Sequence, residues 1–191
     1  MFLVGLLLLV SSGVLCAETV TGTVVRVVDG DTMVVETRGR RSEGGGRKAE
    51  VRGPRSEVRG RRSEVRGPRA SGRDGVGAPV REVRVRLAGI DTPEKRQPFG
   101  ARAGEALSEL ILGKVVRVEF NAKDRYGRVI GTVYLCEMNV NRTMVAEGFA
   151  WHYTKYSSCP VLAGAEARAR EERVGLWRQG SPVAPWVFRR L

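Results

Sequence analysis

Five short strand signals and three helical ones predict a small mixed β-barrel with helices, an α+β fold. Their order is strand, strand, strand, helix, strand, strand, helix, helix. Three observations carry the prediction. Runs rich in Val, Thr and Ile are bounded by Gly, Pro and Asp. Three later stretches place apolar residues at helical spacing. The chain, at 191 residues, is long enough for one domain with a real core.

The first strand is Val20–Val28 (VTGTVVRVV), closed by the hairpin signal Asp29-Gly30. Asp31 and Thr32 then open the second strand, Met33–Thr37. The turn accounts for Asp29. It accounts less well for Asp31, because an acid at a strand start has poor β-propensity. The third strand, Arg81–Ile90, alternates Val83, Val85 and Leu87 on one face with Arg84, Arg86 and Ala88 on the other. It ends at Asp91-Thr92-Pro93-Glu94, where Pro93 disfavours helix at Thr92 and forces a turn. Residues 98–113 predict a helix that starts at Pro98 and stops at Gly113, with Ala103, Leu107, Leu110 and Ile111 as its apolar stripe. Val115–Phe120 is the fourth strand, residues 124–128 (DRYGR) a turn, and Val129–Leu135 the fifth strand. A short helix over 139–148 turns Val140, Met144 and Val145 inward. An aromatic loop over 149–159 leads to a third helix over 160–175, after which Leu176 and Trp177 pack.

Residues 38–79 interrupt this scheme. They contain a seven-residue repeat: AEVRGPR (49–55), SEVRGRR (56–62) and SEVRGPR (63–69). Each repeat has one Val, a Gly and mostly a Pro, so it cannot form the apolar seam of a coiled coil. It cannot bury enough to offset its ordering entropy, and it reads as a disordered insertion between the second and third strands. Two roles are open for it: a passive expansion in a surface loop, or a basic tether for an anionic partner. The segment holds 13 Lys/Arg against 5 Asp/Glu, a net +8 of the chain's +12, which leaves +4 for the rest. The inference from charge to a polyanion partner is therefore weak outside the insertion.

Residues 2–15 are almost wholly apolar, too short for an ordinary membrane helix and suited to a signal-peptide core. Residues 1–17 are read as a signal peptide, and the rest as secreted or periplasmic. An uncleaved anchor is the second reading, and a lipoprotein at Cys16 the third. After cleavage, Cys136 and Cys159 remain, as one disulfide or two thiols. There is no Cys-x-x-Cys, and His152 is the only histidine. Zinc sites and Ser-His or Cys-His catalysis are disfavoured, and His152 reads as a hydrogen-bonded or surface residue.

The polar residues that the elements do not explain cluster at one place. Arg86 projects from a rigid strand, and Asp91 and Glu94 lie just beyond its end. A cation and two carboxylates there can handle a phosphate or a divalent metal; an exposed Arg with a capping Asp-Thr is the plainer alternative. If the second and third strands form an antiparallel hairpin, Asp31 neighbours Asp91, and the insertion joins the other ends. Five strands in this order match an OB-fold, which binds oligonucleotides or sugars through strands 2–3 and loops 1–2 and 4–5. Asp31, the stretch Arg86–Glu94 and Arg128 fall in those elements. The predicted architecture is thus a five-stranded OB-fold with three helices, built from 18–37 and 80–191.

The motifs VVDGDT (27–32), RLAGIDTPE (86–94) and DRYGRVIG (124–131), in that order, resemble the staphylococcal-nuclease-like (thermonuclease) family. The similarity covers about residues 18–177 apart from the insertion. It implies an OB-fold and a calcium-dependent phosphodiesterase that cuts DNA and RNA. Carried over, it implies Asp31 and Asp91 as Ca2+ carboxylates, with the Thr92 carbonyl beside them. It implies Glu94 as the general base, and Arg86 and Arg128 as the phosphate-binding arginines. Asp124 and Tyr126 match the family's turn, and Tyr153 an aromatic at the substrate pocket. Two departures stand out: the long spacing created by the insertion, and Trp151 where the family can carry tyrosine. Tyr126, Trp151 and Tyr153 are the expected substrate-binding aromatics, with Tyr156 beside them in the aromatic loop; ordinary packing is the alternative for that loop. No stable protein partner is implied, and a monomer is expected. The rival class is a non-catalytic nucleic-acid-binding OB module. The presence of Asp31, Arg86, Asp91, Glu94 and Arg128 together favours the enzyme.

Overall fold

The structure is a computed structural model that describes residues 18–38 and 80–191. The segments read as signal peptide and repeat insertion lie outside the described residues. The described residues up to Thr37 together with Arg81–Leu191 form one compact unit.

The strands close into a barrel. β1 (Glu18–Asp29) is long and does two jobs: its first half pairs with β5 (Val115–Lys123), and its second half with β2 (Thr32–Arg38), all antiparallel. Irregularities at Val24/Arg26 and Val27/Asp29 bend it between the two partners. β3 (Val80–Leu87) lies beside β2, and β6 (Val129–Leu135) beside β5. A parallel pairing of Val85–Leu87 with Val129–Gly131 joins β3 to β6 and closes the barrel. This five-stranded circuit is the expected OB topology. Period-two alternation fills it: Val85 and Leu87 are buried while Arg84 is exposed. Inside, Val24, Met33, Val35, Val116, Val118 and Val133 meet Leu107 and Ile111 from α1 (Gly100–Ile111). Each such side chain contributes roughly 1.5–3 kcal/mol when fully buried.

The expected third strand is split. Gly89 adopts φ 72°, a left-handed conformation that breaks β3 at Leu87. Ile90–Asp91 continue as a short β4, paired antiparallel with β8 (Trp151–His152). The second expected helix is α2 (Val140–Ala146), with a two-residue strand β7 (Met138–Asn139) before it. The third, α3 (Pro160–Glu171), stops earlier than its pattern suggested, because Arg173 turns left-handed at φ 51°. Leu176 and Trp177 follow on a short 3-10 turn, Gly175–Arg178, and pack as expected. The C-terminal tail adds a one-turn helix, α4 (Pro185–Phe188). Cys136 and Cys159 are both free thiols.

One buried amide ties the barrel's closure to the end of β3. Asn141 accepts from the Val133 N–H at 2.9 Å and donates to the carbonyls of Ala88 at 2.9 Å and Gly131 at 3.3 Å. The other end of the β2–β3 pair leads into residues 39–79. Leu87 N–H donates to the Asp31 carbonyl at 2.8 Å, whereas Thr37 Oγ1 donates to the Arg81 carbonyl at 3.2 Å. The chain therefore leaves the barrel at the opposite end of these strands from Asp31. Replacing 39–79 with Asn-Gly, a two-residue hairpin, should leave the thermal midpoint within about 3 °C of the full chain or raise it. Calorimetry on both chains checks this; a collapse of the transition would mean that the segment supports the barrel.

Candidate active site

The DGDT turn between β1 and β2 places Asp31. Its N–H donates to Asp29 Oδ1 at 3.1 Å, and Thr32 Oγ1 donates to Asp31 Oδ1 at 2.9 Å. Gly30 lets this turn sit against β4: a Cβ there would stand 2.8 Å from Thr92 Oγ1 and 2.8 Å from Ala103 Cβ. From the other side, the β4–β8 pairing sets Asp91 opposite Trp151. Thr92 N–H then reaches Asp31 Oδ2 at 3.4 Å. The two aspartates, 61 and 1 residues from Thr92 in sequence, become neighbours, both nearly removed from water at 5% and 1% exposure.

Arg86 lies between them. Its guanidinium pairs with Asp31 through Nη1, with Asp91 Oδ1 at 2.9 Å through Nη2, and with the Ile90 carbonyl at 3.4 Å. Arg128 is aimed by Asp124. One Asp124 oxygen accepts from the backbone N–H groups of Tyr126 and Arg128, both at 2.9 Å, and the other from Arg128 Nε at 2.7 Å. Gly127 supplies the positive φ of 76° that folds this loop back. Arg128 Nη1 then reaches Thr32 Oγ1 at 3.5 Å, beside Asp31. Burial would raise the Asp124 carboxyl, but the hydrogen bonds from Arg128 and Tyr126 outweigh it and hold the group below its ordinary value. Burial, and then the charge of Asp31, push Asp29 the other way, up to about 6.

Glu94 sits on the turn after Pro93, half exposed. Its N–H donates to Gln97 Oε1 at 3.1 Å, and its carbonyl accepts from the Gln97 N–H at 2.8 Å. Gln97, Asp124 and the C-terminal Arg189 escaped sequence reading as site residues. Arg189 follows α4 and pairs with Asp91 Oδ2 and Glu94 Oε1, each at 2.6 Å. These contacts raise its pKa above the ordinary arginine value, the hydrogen bond to Asp91 first among them. Pro185 at the first position of a helix was a readable start signal. Nothing in PWVFRRL indicated where that helix docks.

These side chains line one open cleft of about 790 Å³. Arg86, Glu94, Arg128, Asp31, Asp91, Thr92, Tyr126 and Tyr153 all face it. Trp151 does not, which corrects its expected role as a stacking surface. The Trp151 ring is 3% exposed and packs edge-on against Trp177 at 5.1 Å, together with Ala169 and Leu176. Its contribution to the site is made by its backbone, through the pairing with Asp91. Tyr126 is 65% exposed, under the guanidiniums of Arg125 at 4.8 Å and Arg128 at 5.7 Å. Tyr153 is already stacked on Trp186 of α4, with centroids 5.0 Å apart and planes 2° from parallel. His152 is buried, its Nε2 3.2 Å from Ser157 Oγ, away from the cleft.

The staphylococcal nuclease homologue family matches residues 84–179. An uncharacterized endonuclease of Escherichia coli is 36% identical over 178 residues, 92% of this chain and 88% of that protein. The chain belongs to the staphylococcal nuclease homologue family. The family's staphylococcal-like nuclease CAN1 of Arabidopsis thaliana is 40% identical over 110 residues, 58% of this chain and 34% of that protein. An uncharacterized endonuclease of Haemophilus influenzae is 41% identical over 110 residues, 58% of this chain and 62% of that protein.

The donor chemistry fits a hard divalent cation. Asp31 and Asp91 offer carboxylate oxygens, Thr92 a peptide carbonyl, and the cleft lining contains neither thiol nor imidazole. Among the described residues no group of three or more His, Cys, Asp or Glu has metal-binding spacing, so the protein's share of a coordination shell is partial. Water and substrate oxygens suit the remainder.

The buried position of Trp151 gives a clear expectation. Trp151→Ala should cost about 3–5 kcal/mol of stability by urea denaturation. A variant as stable as the parent but weak in nucleic-acid binding would restore the stacking role.

Proposed function

We propose that the chain is a calcium-dependent nuclease that hydrolyses phosphodiesters of DNA and RNA. The observation that carries this reading is the convergence in one cleft of two buried aspartates, two arginines and a half-exposed glutamate. The endonuclease names borne by its relatives support the same reaction class.

A phosphodiester anion repels an attacking hydroxide, so the site must neutralise charge as the phosphorus becomes five-coordinate. Asp31, Asp91 and the Thr92 carbonyl would hold calcium, which would supply Lewis acidity and a template for a phosphoryl oxygen. Arg86 from β3 and Arg128 from the loop before β6 bring planar guanidinium forks to the same group, each able to donate two hydrogen bonds. Asp124 holds Arg128 in place before substrate arrives, so little reorganisation is left for the transition state. Glu94 takes a proton from water as its oxygen bonds to phosphorus. The P–O bond to the leaving sugar oxygen breaks, and that oxygen ends protonated. Exposed Tyr126 offers a face for a base or sugar near the arginines. The apolar segment 2–15 supports export to a secreted or periplasmic location, with the enzyme acting as a monomer on nucleic acid as its sole partner.

The test is hydrolysis of single-stranded DNA and of RNA with calcium or with chelator, followed by end-group analysis. Cleavage should require calcium; no calcium-dependent cleavage by well-folded protein would leave a binding module instead. Glu94→Gln should lower kcat by roughly 10²–10⁴-fold with KM little changed, and an equal loss in binding would deny it the base role. Arg86→Lys should not rescue activity, because an ammonium lacks the fork; near-normal rates would remove Arg86 from the transition state.

A further inference from the structure

We propose that Arg189 sets the metal affinity of this site, by competing with the divalent cation for Asp91 while it also engages Glu94. The inference rests on the metal-dependent reading above. Arg189 Nη2 donates to Asp91 Oδ2 at 2.6 Å, and Nη1 to Glu94 Oε1 at 2.6 Å, with Asp91 Oδ1 3.4 Å from Nη1. Arg86 holds Asp91 Oδ1 at 2.9 Å. Both oxygens of Asp91 thus face guanidinium groups, and a cation that takes Asp91 as a ligand must displace one of them.

The two arginines are unequal. Arg86 rises from the barrel wall, is 20% exposed at its side chain, and is held by Asp31 and the Ile90 carbonyl as well. Arg189 hangs from a one-turn helix near the chain's end, with a side chain 40% exposed. Arg189 is the group that yields. It is nevertheless kept close, because the tail is fastened at two further points. Gln97 Nε2 donates to the Val183 carbonyl at 2.5 Å, and Trp186 stacks on Tyr153. A tethered cation is an intramolecular competitor, whose effective concentration depends on its tether and not on the solution. The apparent metal affinity falls by the fraction of molecules in which the carboxylates are engaged.

A general effect of positive charge would act on metal affinity in the same direction, and the next residue separates the two. Arg190 is exposed and outside the cleft lining, so Arg190→Gln removes the same formal charge without a contact to Asp91. Calcium is titrated by isothermal calorimetry into the full chain, without substrate, at fixed ionic strength. Thermal midpoints check that every variant is folded. Arg189→Gln should tighten the calcium Kd roughly five- to tenfold. Arg189→Lys should show a smaller gain, since a point charge cannot bridge two carboxylates as the fork does. Arg190→Gln should change Kd by less than about twofold. Equal or weaker binding by Arg189→Gln, with calcium bound normally by the parent, overturns the competition while leaving the calcium reading intact. Tightening by Arg190→Gln as large as that by Arg189→Gln also overturns it. Failure of the parent and of Arg189→Gln alike to bind calcium at millimolar concentration removes the calcium reading, and the competition with it.

Discussion

Two carboxylates held almost out of water dictate the rest of this molecule. Asp31 and Asp91 are 5% and 1% exposed. Burying an ion costs several kcal/mol unless opposite charge and hydrogen bonds offset the lost hydration. The fold meets that demand with Arg86, which bridges the pair, with the hydroxyl of Thr32 and with the N–H of Thr92. Every larger feature of the barrel can be traced to holding these groups in register. The β2–β3 pairing sets Asp31 beside the end of β3, Gly30 removes the Cβ that would push Thr92 away, and the β4–β8 pairing fixes Asp91. Asn141 locks the point where β3 meets β6, using both ends of its amide on three backbone groups. Leaving such groups unpaired in the interior costs about 1–3 kcal/mol each, so this amide specifies the closure as well as stabilising it.

Much of this was legible in the chain, for a reason that differs between fold and site. The strands announced themselves through β-branched runs and period-two alternation, because a barrel wall has one dry face and one wet face. The split at Gly89 was hidden, since a glycine within an alternating run reads as strand until its φ is known. The site was legible wherever its residues broke a local rule. Asp31 opens a strand, and Arg86, on the polar face with Arg84, is followed by two carboxylates just past the strand's end. Asp124 did not stand out, because an aspartate starting a Gly-containing turn is what a turn requires. Its second task, aiming Arg128, uses the oxygen that the turn leaves free.

Trp151 and Arg189 mark the limits of local reading from opposite sides. Trp151 sits in an aromatic loop next to Tyr153, but β8 ends at His152, so Tyr153 lies beyond the strand and its ring does not share the face that alternation would give it. One enters the cluster with Trp177, the other the cleft. The loop's composition told of aromatics but not that the strand pairing with Asp91 stops at His152. Arg189 lies 95 and 98 residues from the carboxylates it contacts. No periodicity or motif spans such a distance, and its docking depends on Gln97 and Trp186, neither of which carries a sequence signal for that task.

The charge of the cleft lining, taken apart from the repeats, bears on how metal and substrate would be coupled under the proposed calcium-dependent reaction. The lining holds Arg86, Lys95, Arg96, Arg125, Arg128 and Arg189 against Asp29, Asp31, Asp91 and Glu94, six cations to four anions, or +2. Half of those cations are spent on carboxylates: Arg86 and Arg189 face Asp31, Asp91 and Glu94, and Arg128 faces Asp124. A phosphodiester approaching the metal-free cleft therefore meets arginines already engaged. A divalent cation on the aspartates would raise the lining to +4 and release guanidinium donors at the same moment. Under that proposal, attraction of the anionic backbone and assembly of the transition-state donors would follow from one binding event, with no contribution needed from the +8 carried by residues 38–79.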